Sequence, residues 1–138
     1  MKLKYALSLL LLTACFTAFG QAKLSPAAPA ASDKGLIKIS ILYPYAEGKT
    51  FNMEYYEAKH MPMVAGYLGS NLVKYTIDKG IPSGNPGQPL LYMAVGTFYV
   101  KNLSEYNAAI APNLPAIRED FPKYTNVLPT VVVTEVIR

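Results

Sequence analysis

The sequence predicts an α+β fold of the ferredoxin-like type, βαββαβ, with both helices on one face of a four-stranded antiparallel sheet. Three observations predict it. Four apolar stretches suited to strands and two of helical period follow one another as strand, helix, strand, strand, helix, strand, the split βαβ pattern. The segment between the second and third strands is too rich in Gly and Pro for regular structure. The third strand is apolar on both parities, so both of its faces need cover, and no internal repeat in the chain can supply the second.

Residues 1–35 are read as address and tether. Lys2 and Lys4 precede an apolar run from Tyr5 to Leu12, which continues less cleanly to Phe19. A charged start, a short apolar run and small residues afterwards describe a secretory signal, assigned to residues 1–22, and not a membrane span. Two fates stay open. Cleavage before Gln21 or Lys23 releases the chain to the periplasm or medium; Leu12-Thr13-Ala14-Cys15 resembles a bacterial lipobox, in which lipidated Cys15 anchors it to a membrane. Phe16 is an awkward neighbour for that second route. Residues 23–35, rich in Ala, Pro, Ser and Lys, form a flexible tether to a domain over 36–138. Cys15 is the only cysteine, so that domain folds without a disulfide.

In the first strand, Leu36 to Tyr43, Ile37, Ile39, Ile41 and Tyr43 alternate with Lys38, Ser40 and Leu42. Pro44 to Thr50 turns the chain. The first helix starts with Asn52 as cap, and Phe51 and Tyr56 are spaced for a hydrophobic staple. Met53, Tyr56, His60, Met63, Val64 and Tyr67 recur at three and four on its inner face, while Glu54, Glu57 and Lys59 take the outer one. Pro62 lacks the amide that would bond the Ala58 carbonyl, so a bend is expected there. Gly66 or Gly69 stops the helix.

Val73, Tyr75 and Ile77 mark one face of the second strand, Leu72 to Lys79. The loop runs from Gly80 to Pro89, and the third strand from Leu90 to Val100. Asn102 caps the second helix, with Glu105 placed to complete a capping box. Its inner stripe is Tyr106, Ile110, Leu114 and Ile117. Pro112 and Pro115 predict a helix to about Ala111 with a distorted continuation to Asp120, which Pro122 ends. Thr130 to Ile137 is the last strand.

Composition narrows the function. Thirteen Lys and Arg against nine Asp and Glu give a net charge of +4, and the signal removes Lys2 and Lys4. The remaining basic residues are scattered, so no nucleic-acid partner is expected. One histidine and no cysteine in the domain make a metal site unexpected, since Asp78, Glu119 and Asp120 lack ligand spacing. Gly84-Asn-Pro-Gly87 lies between strands and not at a helix start, so no dinucleotide motif, and no cofactor, is expected. No Ser-His-acid pattern supports nucleophilic catalysis.

Leu42-Tyr43-Pro44, Phe51-Asn52, Tyr55-Tyr56 and His60-Met61-Pro62 together resemble the EthD family of dimeric α/β-barrel proteins. Asp78-Lys79-Gly80, the Phe121-Pro122-Lys123-Tyr124-Thr125 turn and the valine-rich last strand are similar too. The likeness spans Leu36 to Ile137; its specific part is the Tyr-Tyr to His-Met-Pro spacing. Asn52 departs from an aspartate common in the family, and either residue caps a helix. The resemblance implies a homodimer whose two sheets close a barrel, with a pocket in each subunit between helices and sheet. It also implies small-molecule chemistry of the aromatic, polyketide or xenobiotic-degradation kind, under a reductase label that no motif here supports.

His60 is the candidate catalytic residue. An imidazole with a reference pKa near 6.5 moves protons near neutral pH, and its place on the inner face points it towards the inside, to a pocket or a closed core. Tyr43, Tyr56, Tyr75 and Tyr92 are candidates to orient it or a small-molecule ligand, and Met63 is assigned to the same pocket. The plainer reading is a structural histidine bonded to a backbone carbonyl that Pro62 frees. Arg118, Glu119 and Asp120 read as a solvated surface with local ion pairs. Two functions stay open: a cofactor-independent enzyme working by acid/base chemistry, or a non-catalytic periplasmic binding protein using the same pocket.

Overall fold

The computed structural model describes residues 32–85 and 87–138. The export signal, Cys15 and the tether up to residue 31 lie outside the described residues. Strands β1 (Ile37–Pro44), β2 (Leu72–Lys79), β3 (Tyr92–Val100) and β4 (Thr130–Glu135) form one antiparallel sheet in the order β2-β3-β1-β4. With two helices on one of its faces, this is the ferredoxin-like arrangement.

Sheet register decides which residues meet the helices. Ile39 pairs with Phe98 and Tyr43 with Ala94, while Ile37 lies opposite Val100. Ile39, Tyr43, Ala94, Phe98 and Val100 are all 2% exposed or less and share the core with Tyr56, Met61, Val64, Leu68 and Ile117. The opposite face carries Ser40, Leu42, Val95, Thr97 and Tyr99, with the Lys38 and Lys74 ammonium groups over the Tyr99 ring. In β2 a register shift between Leu72 and Lys74 leaves Val73 46% exposed, not inward as its alternation suggests. Edge strand β4 is exposed throughout, valines included.

The first helix, labelled α1, is not a simple bent helix. It runs as α-helix Met53–Tyr55, a π-turn Tyr56–His60 and α-helix Met61–Leu68. Asn52 caps it by accepting from the Tyr55 amide at 3.0 Å, and the Phe51–Tyr56 staple forms with ring centroids 5.0 Å apart. The Met61 amide bonds the Tyr56 carbonyl, five residues back. The irregularity expected at Pro62 is thus taken up just before it, by an inserted residue. After the turn Met61, Val64 and Leu68 are buried; Val64 is inward as expected, whereas Met63 and Tyr67 are only half-buried, with Met61 and Leu68 in the deeper positions.

The second helix, α2 (Leu103–Asp120), is continuous through both prolines, contrary to the expected break near Ala111. Pro112 and Pro115 are exposed, as are Ala108 and Ala111, whose carbonyls lose their amide partners; water on that side can replace them. Asn113 adds a bond from its side-chain amide to the Ala109 carbonyl at 2.8 Å. Asn102 caps α2 by accepting from the Glu105 amide, but the reciprocal arm of the capping box is taken by another residue. Buried Asn71 accepts from the Asn102 amide at 2.9 Å and donates to its carbonyl, tying the end of α1 to the start of α2.

Candidate functional site

The two helices bring their polar residues together because the segments beside them are stitched to each other. Phe51 bridges Thr125, and the Asn52 amide bonds the Tyr124 carbonyl at 2.7 Å. Asn126 accepts from the Thr50 amide and donates to the Gly48 carbonyl. The start of α1 is thereby held against the 3₁₀ turn Phe121–Lys123 that follows α2.

At that junction His60 is 4% exposed, and both ring nitrogens are bonded. Nδ1 lies 2.8 Å from Asp120 Oδ2, and Nε2 lies 3.2 Å from the Tyr124 hydroxyl. A carboxylate only accepts, so Nδ1 carries the proton and Nε2 of the neutral ring accepts from Tyr124. The Tyr124 hydroxyl, its hydrogen so used, accepts from Tyr43 at 2.8 Å. Hydrogen bonds therefore run one way, from Tyr43 to Tyr124 to His60 to Asp120. Asp120 Oδ1 also accepts from the Tyr55 hydroxyl at 2.8 Å and pairs with Lys123 Nζ at 3.0 Å. Tyr56 stacks on the imidazole, with centroids 5.4 Å apart and planes 16° from parallel.

Two opposing effects set each ionisation. Burial pushes the His60 pKa down; the hydrogen bond and charge of Asp120 push it up, and burial wins. Burial would raise Asp120, but hydrogen bonds from His60, Lys123 and Tyr55 together hold it below its ordinary value. Burial drives the phenols of Tyr43, Tyr56 and Tyr124 well above their usual range, so these hydroxyls stay protonated at neutral pH.

A cavity of ≈ 110 Å³ opens beside this cluster, between the helices and the sheet. Its lining includes the polar-tipped residues Tyr43, Tyr56, His60 and Tyr106; Met61, Val64, Phe98, Ile110, Leu114 and Ile117 are among its apolar walls. Gly96 makes room for the Tyr56 ring, because a Cβ built on it overlaps the Tyr56 hydroxyl.

Of the residues singled out from sequence, Tyr43, Tyr56 and His60 meet at this cavity. Three do not. Met63 is half-buried against the core and does not line the cavity. Tyr75, on edge strand β2, packs on Phe98 at 6.0 Å between centroids and is 36% exposed. Tyr92, 37% exposed, lines a separate depression under the hairpin loop with Gly80, Ile81 and Leu91. The plainer reading of His60 is also corrected: it bonds two side chains, not a freed carbonyl. Asp120 is 5% exposed and central, not part of a solvated surface. Sequence reasoning missed it, although the stripe Ile110, Leu114, Ile117 reaches residue 120 at its next step. Lys123 and Tyr124 were legible only through the family turn motif, and Tyr55 only through the Tyr55-Tyr56 pair of the same resemblance.

The chain is similar to an EthD-like protein from Ralstonia eutropha JMP134, with 34% identity and a TM-score of 0.71, over 76% of this chain and 95% of that one. It is also similar to an ethyl tert-butyl ether D (EthD) family protein from Bacillus halodurans C-125, with 18% identity and a TM-score of 0.54, over 73% and 98% of the two chains. That second likeness concerns the fold alone. No protein-family model and no curated protein matches the chain.

Proposed function

This chain belongs to the EthD family, and from that premise we propose that it is an exported, cofactor-independent enzyme whose His60 moves protons for a small ligand in the cavity. The observation that carries the reading is the His60–Asp120 pair beside a largely apolar cavity. Asp120 fixes the tautomer, so that Nε2 is the basic nitrogen, and supports the imidazolium that forms when a proton arrives. Burial keeps the resting ring neutral and ready to accept one. Xenobiotic-type and aromatic molecules suit the apolar walls.

The protein works as a homodimer in this reading. The motive is β4, whose Val131, Val132 and Val133 are 55%, 41% and 47% exposed on an edge strand with one side unpaired. Such an edge invites a partner. Export follows from Lys2, Lys4 and the apolar run after them, with Cys15 as the alternative lipid anchor.

One observation favours a second reading. Both nitrogens of His60 already have partners, as in a binding protein that uses the cavity without chemistry. Native mass spectrometry of protein isolated from its host reads out a retained small molecule, which then serves as the assay substrate. Catalysis by His60 predicts that His60→Gln folds and binds this molecule, yet turns it over about 10²–10⁴-fold more slowly. A destabilised but fully active variant would sink the catalytic reading.

A further inference from the structure

We infer that the cavity selects a small, mainly apolar molecule presenting an O–H donor, a phenol or an enol, to Tyr43. This deepens the proposed function and rests on it. Each hydrogen in the cluster is already committed: Nδ1–H of His60 to Asp120, the Tyr124 hydroxyl to Nε2, and the Tyr43 hydroxyl to Tyr124. A phenolic oxygen has one hydrogen to give and lone pairs left to receive. Tyr43 ends the chain of bonds and, like His60, is a lining residue of the cavity; with its hydrogen given to Tyr124 it is an acceptor towards a ligand.

Neighbouring groups narrow the choice. Tyr56 packs edge-on against Tyr43 at 5.4 Å and lines the same cavity. The Tyr56 hydroxyl is itself placed to donate to Tyr43; a ligand hydroxyl can step between them, donating to Tyr43 while accepting from Tyr56, whereas a ketone or ether can only accept. Among the described residues no Lys or Arg lines the cavity, and the Lys123 ammonium is spent on Asp120, so a carboxylate or phosphate finds no cation there. The volume of ≈ 110 Å³ is below the roughly 150 Å³ of an engineered apolar cavity that takes up benzene, so one ring nearly fills it.

The same polarity gives the hydroxyl its chemistry. The ligand O–H breaks as its proton passes to the Tyr43 oxygen; Tyr43 passes its own to Tyr124, and Tyr124 passes its own to Nε2 of His60. The products are a ligand oxyanion and an imidazolium paired with Asp120, and neither tyrosine changes its net protonation.

Phenol and anisole make the test, since they share a ring and differ in the hydrogen that can be donated. Calorimetric titration of the protein should give phenol about tenfold tighter than anisole, the size expected for one hydrogen bond. In Tyr124→Phe the Tyr43 hydrogen is released to face the cavity, so the preference should vanish or reverse towards anisole. Tyr43→Phe should bind both rings equally, and carries the test alone if Tyr124→Phe fails to fold by circular dichroism. Equal affinities in the unaltered protein, or a phenol preference that survives either variant, overturn the inference and leave the small-molecule cavity standing. Binding of neither ring overturns both.

Discussion

Asp120→Asn keeps the shape of the side chain and removes its charge, and the structure fixes what that should do. The carboxylate accepts from His60 at 2.8 Å, from Tyr55 at 2.8 Å and pairs with Lys123 at 3.0 Å. An amide can turn its oxygen to His60 and its NH₂ to the Tyr55 oxygen, so the partner left unpaired is Lys123, which is 59% exposed and can return to water. No buried charge is orphaned. The loss is then that of charge-assisted bonds, about 1.5–3 kcal/mol. At about 4 °C per kcal/mol for a domain of this size, the melting temperature at pH 8 should drop by roughly 6–12 °C. The pH profile adds a sharper signature. His60 is lowered on folding, so the unfolded chain takes up its proton first; stability is full above the ordinary value of 6.5 and falls as pH drops from there towards the folded value. Asp120 is lowered too, and its contribution, present above the ordinary 3.8, is lost as pH falls through the lower folded value. In Asp120→Asn the step below 3.8 should shrink, while the step below 6.5 grows because nothing now supports the imidazolium. Thermal melts from pH 3 to 8 read both. An unchanged melting temperature at pH 8 with the low-pH step intact would refute the role given to Asp120.

Gly96→Ala should cost about 1–3 kcal/mol in a thermal melt and reduce ligand uptake, since the added methyl group overlaps the Tyr56 hydroxyl and comes within 3.1 Å of Met61 Sδ. Sedimentation should give twice the chain mass, and Val133→Glu on the exposed edge strand should shift it to monomer; a stable monomer of the unaltered protein at micromolar concentration would end the dimer proposal. Intact-mass measurement on protein from its native host should find a start at Gln21 or Lys23, or an acylated Cys15, and a full-length cytosolic chain would count against export.

The fold was legible because its signals are local. The alternation of Ile37, Ile39, Ile41 and Tyr43 placed β1, and the Gly- and Pro-rich segment after Lys79 marked the hairpin. Asn52 and Asn102 capped their helices as their positions suggest. Errors arose where solvent or a distant residue decided. Pro112 and Pro115 break nothing because they lie on the wet side of α2. Glu105 does not close its capping box because Asn71, thirty-one positions earlier than Asn102, already holds the Asn102 amide. Neither outcome can be read from a window of ten residues.

The site was half legible for a related reason. A regular 3.6-residue period carries the inner face of α1 from Tyr56 to His60 and Val64 correctly, but also to Met63 and Tyr67, which are only half-buried, and it misses Met61 and Leu68. The π-turn is the cause, and it has a use. Inserting one residue between Tyr56 and Met61 lets His60 and Met61, neighbours in sequence, both reach the interior: His60 to Asp120 and Tyr124, Met61 to the wall of the cavity. In an uninterrupted helix, adjacent residues are about 100° apart and cannot both occupy the centre of one face. The same insertion sets His60 where the last turn of α2 delivers Asp120. Restoring a regular helix by deleting Ala58, inside the turn, would carry His60 away from Asp120 while Met61, Val64 and Leu68 kept their places. The chain should then stay folded, lose the acid-dependent step that begins at pH 6.5, and lose its small-molecule site. If the deletion variant keeps both, the π-turn has no part in building the site.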